Sequence, residues 1–170
     1  MPPIIATIID NKGLPSDIEK NQITMTEIPS IVGIRSQIAG NKRKNRLITE
    51  AVIPLKNMLT DWVDWMKNTA GFVGFSYPGN SNVYFAEITS AFRSYQDQAD
   101  AGSNKSTGVS NHQWGIAVDL KMARKNGTLI EMTQNLENFK IVNNPALEWL
   151  LNNSWKYGFV SILLPLSIVP

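Results

Sequence analysis

Cysteine is absent from the 170 residues, which excludes disulfides, thiol nucleophiles, iron–sulfur clusters and every zinc site built on thiolate. Histidine occurs once, as His112, so no metal site can draw two imidazoles from these residues. An excess of charge is missing too. Sixteen basic against fourteen acidic residues leave a formal +2, which argues against a strongly basic nucleic-acid binder and against an acidic disordered tail. No apolar run reaches the ~20 residues of a membrane span. The run Pro3 to Ile9 stops at Asp10 and lacks the basic flank of a signal peptide. Phe159 to Pro170 is uncharged but short and holds Pro165, so a buried strand over Tyr157 to Ile162 is expected there. What is present is 43% apolar, enough to build one core in a chain of this length.

Residues 10 to 46 mix Gly13, Pro15, Pro29, Gly33 and Gly40 with polar runs, and irregular structure with a short helix around Met25 to Ile31 is expected. The basic run Lys42 to Arg46 lacks interleaved aromatics and reads as a solvated helix start rather than a phosphate-binding patch. From Leu47 to Met66 apolar residues recur every three or four positions, the period of one long amphipathic helix that Pro54 should kink or split. Trp62 and Trp65 lie on that stripe and read as core. Short strands are expected at Phe72 to Phe75, Val83 to Phe85 and Ile88 to Thr89, around the turn-rich Pro78 to Asn82. Residues 100 to 111 form a polar loop, and Gly115 to Lys121 alternates between a greasy face (Ile116, Val118, Leu120) and a small, acidic one (Gly115, Ala117, Asp119). Thr128 to Met132 suits a hairpin partner, and Pro145 opens a helix through Leu147, Leu150 and Leu151. Helices first, then a small sheet with one more helix, predict an α+β domain.

Chemistry concentrates between Ser110 and Leu120. A histidine at the end of a polar loop and a carboxylate on the small-residue face of the next strand can converge, and imidazole nitrogen with carboxylate oxygen makes a partial shell for zinc. A hydrolase triad of Ser110, His112 and Asp119 is disfavoured, because serine and histidine are two apart with no nucleophile-elbow glycines.

The pattern Ser110-x-His112-x-x-Gly115-x-Ala117-x-Asp119 resembles the metal-binding signature of zinc peptidases that include VanY-like D-alanyl-D-alanine carboxypeptidases and phage L-alanyl-D-glutamate endopeptidases. Upstream, Ser90-Ala91-Phe92-Arg93-Ser94-Tyr95-x-x-Gln98 is similar to that family's S-G-Y-R-S-x-x-x-Q element, with Ala91 for Gly and Phe92 for Tyr. Downstream, Trp149-Leu150 through Asn153 and Tyr157-Gly158-Phe159 resembles its W-L-x-x-N-A-x-x-Y-G-F element, with Ser154 for Ala. Leu47 to Leu55 is similar to the helix preceding the first motif.

The resemblance implies a small antiparallel sheet with flanking helices, with residues 1–40 an irregular extension and 41–170 the peptidase domain. It implies zinc as cofactor, His112 and Asp119 as two of its ligands, Arg93 holding a substrate carboxylate or carbonyl, and Ser110 beside the metal, bonding the peptide. The implied partner is the peptidoglycan stem peptide, cut by a zinc-bound water at a D-Ala-D-Ala terminus or an L-Ala-D-Glu link. The family's third ligand is a later histidine with a general-base glutamate, whereas no histidine follows His112. Zinc held by one His and one Asp alone is expected to bind loosely. Three arrangements accommodate this: a longer chain that carries the missing groups, a partner chain that supplies them, or an inactive relative. The last would be a cell-wall-binding or structural module of a phage or injection-device assembly. Location is expected to be a virion or the cell wall and periplasm, otherwise the cytoplasm.

Overall fold

A computed structural model of the chain describes residues 24–36, 45–79, 81–94, 97, 111–123, 129–131 and 145–160. Its main helix, α1 (Thr49–Asn68), buries Val52, Leu55, Met58, Leu59, Trp62, Val63 and Met66, the stripe that the three-and-four spacing predicts. Trp62 is fully buried and Trp65 packs against the core. The helix is one unbroken element across Pro54, so of the expected kink or split the split does not occur. Proline lacks the N–H that would reach the Glu50 carbonyl, and burial of the surrounding stripe outweighs that single lost bond. Leu47 and Ile48, which share the helical spacing, belong instead to the strand β3 (Arg46–Ile48), where both are buried.

Ahead of it come β1 (Met25–Glu27) and β2 (Ile34–Ser36), which replace the helix expected over Met25 to Ile31. Ile28, Ile31 and Ile34 are all buried, and their spacing of three imitates a helix. The backbone forms two short strands joined by a turn at Val32–Gly33 because it has partners far along the chain: β1 pairs antiparallel with β3, and Ile28 N–H donates to the Asn45 carbonyl at 2.9 Å. Residues 24–36 thus contribute to both sheets and to the core.

The second sheet also holds β4 (Ala86–Ser90), β5 (Asp119–Ala123) and β6 (Leu129–Glu131), in the order β2-β4-β5-β6. β2 runs parallel to β4, and the other pairs are antiparallel, so the sheet is mixed within an α+β arrangement. Ala86, Ile88, Leu120, Met122 and Ile34 are buried in the same core as α1. Phe75 and Tyr84 exchange both backbone hydrogen bonds at 2.8 Å, a single bridge where two short strands were expected. The strand expected from Gly115 begins later, at Asp119, because residues 111–115 are in turn conformation.

Helix α2 (Pro145–Asn153) starts at the proline as predicted and is pinned to α1 by Trp62 Nε1 donating to the Ala146 carbonyl at 2.9 Å. Tyr157 to Val160 is not a strand. The chain continues from α2 into a 3-10 turn over Ser154–Tyr157 that stops at Gly158, whose left-handed φ of 82° favours glycine. Tyr157 donates its hydroxyl to Asp61 of α1, which holds this turn against the helix. Residues 161–170, the rest of the expected strand, lie outside the described residues. Among the described residues no helix is long and apolar enough to cross a membrane.

Candidate metal centre

The β4–β5 ladder sets the site. Ile88 lies opposite Leu120, yet Ser90 lies opposite Asp119, so two steps along β4 match one along β5. This is a β-bulge, which re-aims the side chains after it. Because side chains alternate, Asp119 faces away from the core that Leu120 and Met122 enter. The extra residue turns Ser90 to the same outer side.

Beyond the bulge, the segment 91–93 wraps around His112. The Ala91 carbonyl lies 2.7 Å from His112 Nδ1, and Arg93 N–H donates to the His112 carbonyl at 3.1 Å. A carbonyl can only accept, so Nδ1 carries the proton and, in the neutral imidazole, Nε2 keeps its lone pair. Nε2 faces Asp119 Oδ1 at 3.2 Å. The other carboxylate oxygen, Oδ2, accepts from Arg93 Nη2 at 2.9 Å, while Arg93 Nε donates to Ser90 Oγ at 2.9 Å.

Strand β3 splints both arms of the site. With one edge on β1, its Arg46 carbonyl accepts from Phe92 N–H at 2.9 Å and its Ile48 N–H donates to the Gly115 carbonyl at 3.0 Å. Gly115 has φ +65°, and a Cβ there would stand 2.6 Å from Met25 Sδ, so the position requires glycine for both backbone and space. That explains in physical terms why glycine follows His112 by three.

The pair suits two corners of a zinc site. Ligand bonds of about 2.0–2.1 Å at tetrahedral angles place two donor atoms about 3.3–3.4 Å apart, and Nε2 and Oδ1 are 3.2 Å apart. The remaining polar atom of each, Nδ1 and Oδ2, is hydrogen-bonded, the outer support that orients metal ligands. His112 and Asp119 are partly exposed, at 14% and 21%, so the site is reachable from solvent. Among the described residues no third His, Cys, Asp or Glu joins them. The structure therefore brings together Arg93, His112 and Asp119, whereas Ser110 lies outside the described residues, as do Tyr95 and Gln98.

Two features escaped sequence reasoning. Arg93, assigned to substrate by resemblance, also grips Asp119, and the clue was the Ser90 to Arg93 motif itself. The second is Glu87, which the register places on the outer face with Arg35 on one side and Lys121 on the other. Its fully buried carboxylate accepts through Oε2 from Arg35 Nη1 at 3.1 Å and from the Tyr77 hydroxyl at 2.5 Å, and Arg35 stacks over the Tyr77 ring. Burial, then the Glu87 carboxylate, pushes the Tyr77 hydroxyl above its ordinary pKa. One polar residue between Ala86 and Ile88 carried no signal that it would be buried.

A mixed sheet backed by helices, with histidine and aspartate converging on its outer face beside an arginine, makes an α+β domain with two candidate metal ligands. Residues 79–163, half of the chain, match the VanY family, described as D-alanyl-D-alanine carboxypeptidase. The chain belongs to this family, a peptidoglycan-acting, carboxypeptidase-type group. The matched span runs from just before β4 to just past the 3-10 turn and includes Arg93, His112 and Asp119. No curated protein matches the chain.

Proposed function

We propose that this protein is a peptidoglycan stem-peptide hydrolase of the D,D-carboxypeptidase type, with His112 Nε2 and Asp119 Oδ1 as protein ligands to zinc. The observation that carries this reading is their 3.2 Å approach, with the other polar atom of each side chain already held. Zinc, when bound, supplies Lewis-acid activation of water and of the scissile carbonyl. The residues already placed here orient the two ligands and meet the substrate. Ala91 holds the imidazole in one tautomer, Arg93 holds the carboxylate, and the same guanidinium is the cation at hand for the carboxylate or carbonyl of a stem peptide. Ser110, two residues before His112, bonds the peptide in this reading, and the protein acts at the cell wall, as part of a virion or injection-device assembly.

A second reading, a wall-binding module on the same fold, draws on the two ligands found among the described residues where stable zinc sites use three or more. Zinc content of the purified protein by mass spectrometry, with release of D-alanine from a stem pentapeptide, separates the two. The enzyme reading expects zinc that is lost in His112→Ala, and D-alanine release that stops with a chelator. No zinc, no D-alanine and metal-independent retention on purified sacculi would replace it by the binding module.

A further inference from the structure

The resemblance leaves Ser90 without a role, and the β4 bulge supplies one. In an uninterrupted ladder Thr89 would oppose Asp119 and Ser90 would return to the core side with Ile88. The extra residue instead makes Ser90 and Asp119 a cross-strand pair. Such pairs stand about 4.5–5.5 Å apart, close enough to present their oxygens side by side. Arg93 closes on both with one edge of its guanidinium, Nε to Ser90 Oγ and Nη2 to Asp119 Oδ2, each at 2.9 Å. A guanidinium is planar, so fixing Nε fixes where Nη2 can point. Oδ2 is thereby held on the arginine, and Oδ1 is left facing His112 Nε2 at 3.2 Å.

We propose that Ser90 is a positioning residue: through Arg93 it sets the orientation of the Asp119 carboxylate and so preorganises the His112–Asp119 pair. This rests on the metal reading above for its functional consequence, but the brace itself does not. The test has two parts on the full chain. Solvent exchange of the Arg93 Nε–H, followed by NMR in the wild type without metal, is expected to be markedly slower than for an exposed arginine. Exchange as fast as that of an exposed arginine would overturn the brace, whatever any variant does.

Zinc affinity by chelator competition is then compared in the wild type, Ser90→Ala and Ser90→Thr, with circular dichroism to confirm folding. Loss of outer support typically weakens metal binding by about 10–100-fold. Ser90 acts at one further remove, so about tenfold weakening is expected for Ser90→Ala, with Ser90→Thr, which restores the hydroxyl, within about twofold of wild type. A folded Ser90→Ala with wild-type zinc affinity, or a folded Ser90→Thr as weak as Ser90→Ala, would overturn the proposal. If the wild type binds no zinc, the metal reading fails, and the Nε–H exchange alone then decides the brace.

Discussion

Gly115→Ala is the sharpest perturbation of the site that leaves every charged group in place. The backbone there is left-handed, at φ +65°, and the new methyl would meet Met25 Sδ and Cε at 2.6 Å and Ile48 N at 3.1 Å. The conformation costs an alanine roughly 1–2 kcal/mol. The Met25 thioether can swing aside, because methionine is flexible, but Ile48 N cannot: it donates to the Gly115 carbonyl at 3.0 Å from within β3. Residual crowding adds about 1–2 kcal/mol, so a total of about 2–4 kcal/mol is expected. Denaturant unfolding measures it as a lower midpoint at unchanged slope. Met25→Ala/Gly115→Ala, compared with Met25→Ala, removes only the methionine contact, so the roughly 1–2 kcal/mol of backbone cost and the crowding at Ile48 N should both remain. A loss below about 0.5 kcal/mol for Gly115→Ala would refute the claim that this turn demands glycine. Gly115 N–H also donates to the His112 carbonyl at 3.1 Å, so zinc affinity should fall in the same variant.

Three other outcomes are expected. Arg35→Ala strips the cation from the fully buried Glu87 carboxylate and leaves the Tyr77 hydroxyl on it; because Arg35 is itself one-third exposed, the loss should be about 2 kcal/mol, below the usual range for a broken buried pair, measured by urea unfolding. Trp62→Phe keeps most of the buried ring but deletes the Nε1 bond to the Ala146 carbonyl, and about 1–2 kcal/mol should be lost, with faster hydrogen exchange in α2 than in α1. The Tyr157 hydroxyl is pushed up to about 12, first by its hydrogen bond to Asp61 and then by burial. Its folded value exceeds its unfolded one, so its contribution to stability is complete below pH ~10 and lost as pH rises towards 12. Ultraviolet titration should show Tyr157 ionising late in the wild type, beside the likewise raised Tyr77, and earlier in Asp61→Asn, where burial alone still raises it; an unchanged Tyr157 titration in that variant would remove Asp61 as the cause.

Local pattern carried the parts of this protein that depend on near neighbours. The stripe from Val52 to Met66, the proline that opens α2 and the β5–β6 hairpin are legible because their determinants lie within a few residues of one another. The motif from Ser110 to Asp119, through its family resemblance, singled out the two side chains that the fold brings to 3.2 Å, which their spacing alone would not have done. Tertiary structure decided what depends on distant partners. Ile28, Ile31 and Ile34 repeat every three residues, yet pairing with β3 and β4 makes their segment two short strands joined by a turn at Val32–Gly33. Three-residue strands span too little of an alternation of period two to announce themselves. Nothing near Thr89 signals a bulge, because the bulge is a count of β4 against β5, thirty positions away. That count places Ser90 beside Asp119 and gives Arg93 its grip, while the β2–β4 register sets Glu87 beside Arg35. Side-chain chemistry fixed which groups could act at this site, and the register between strands far apart in sequence decided which of them meet.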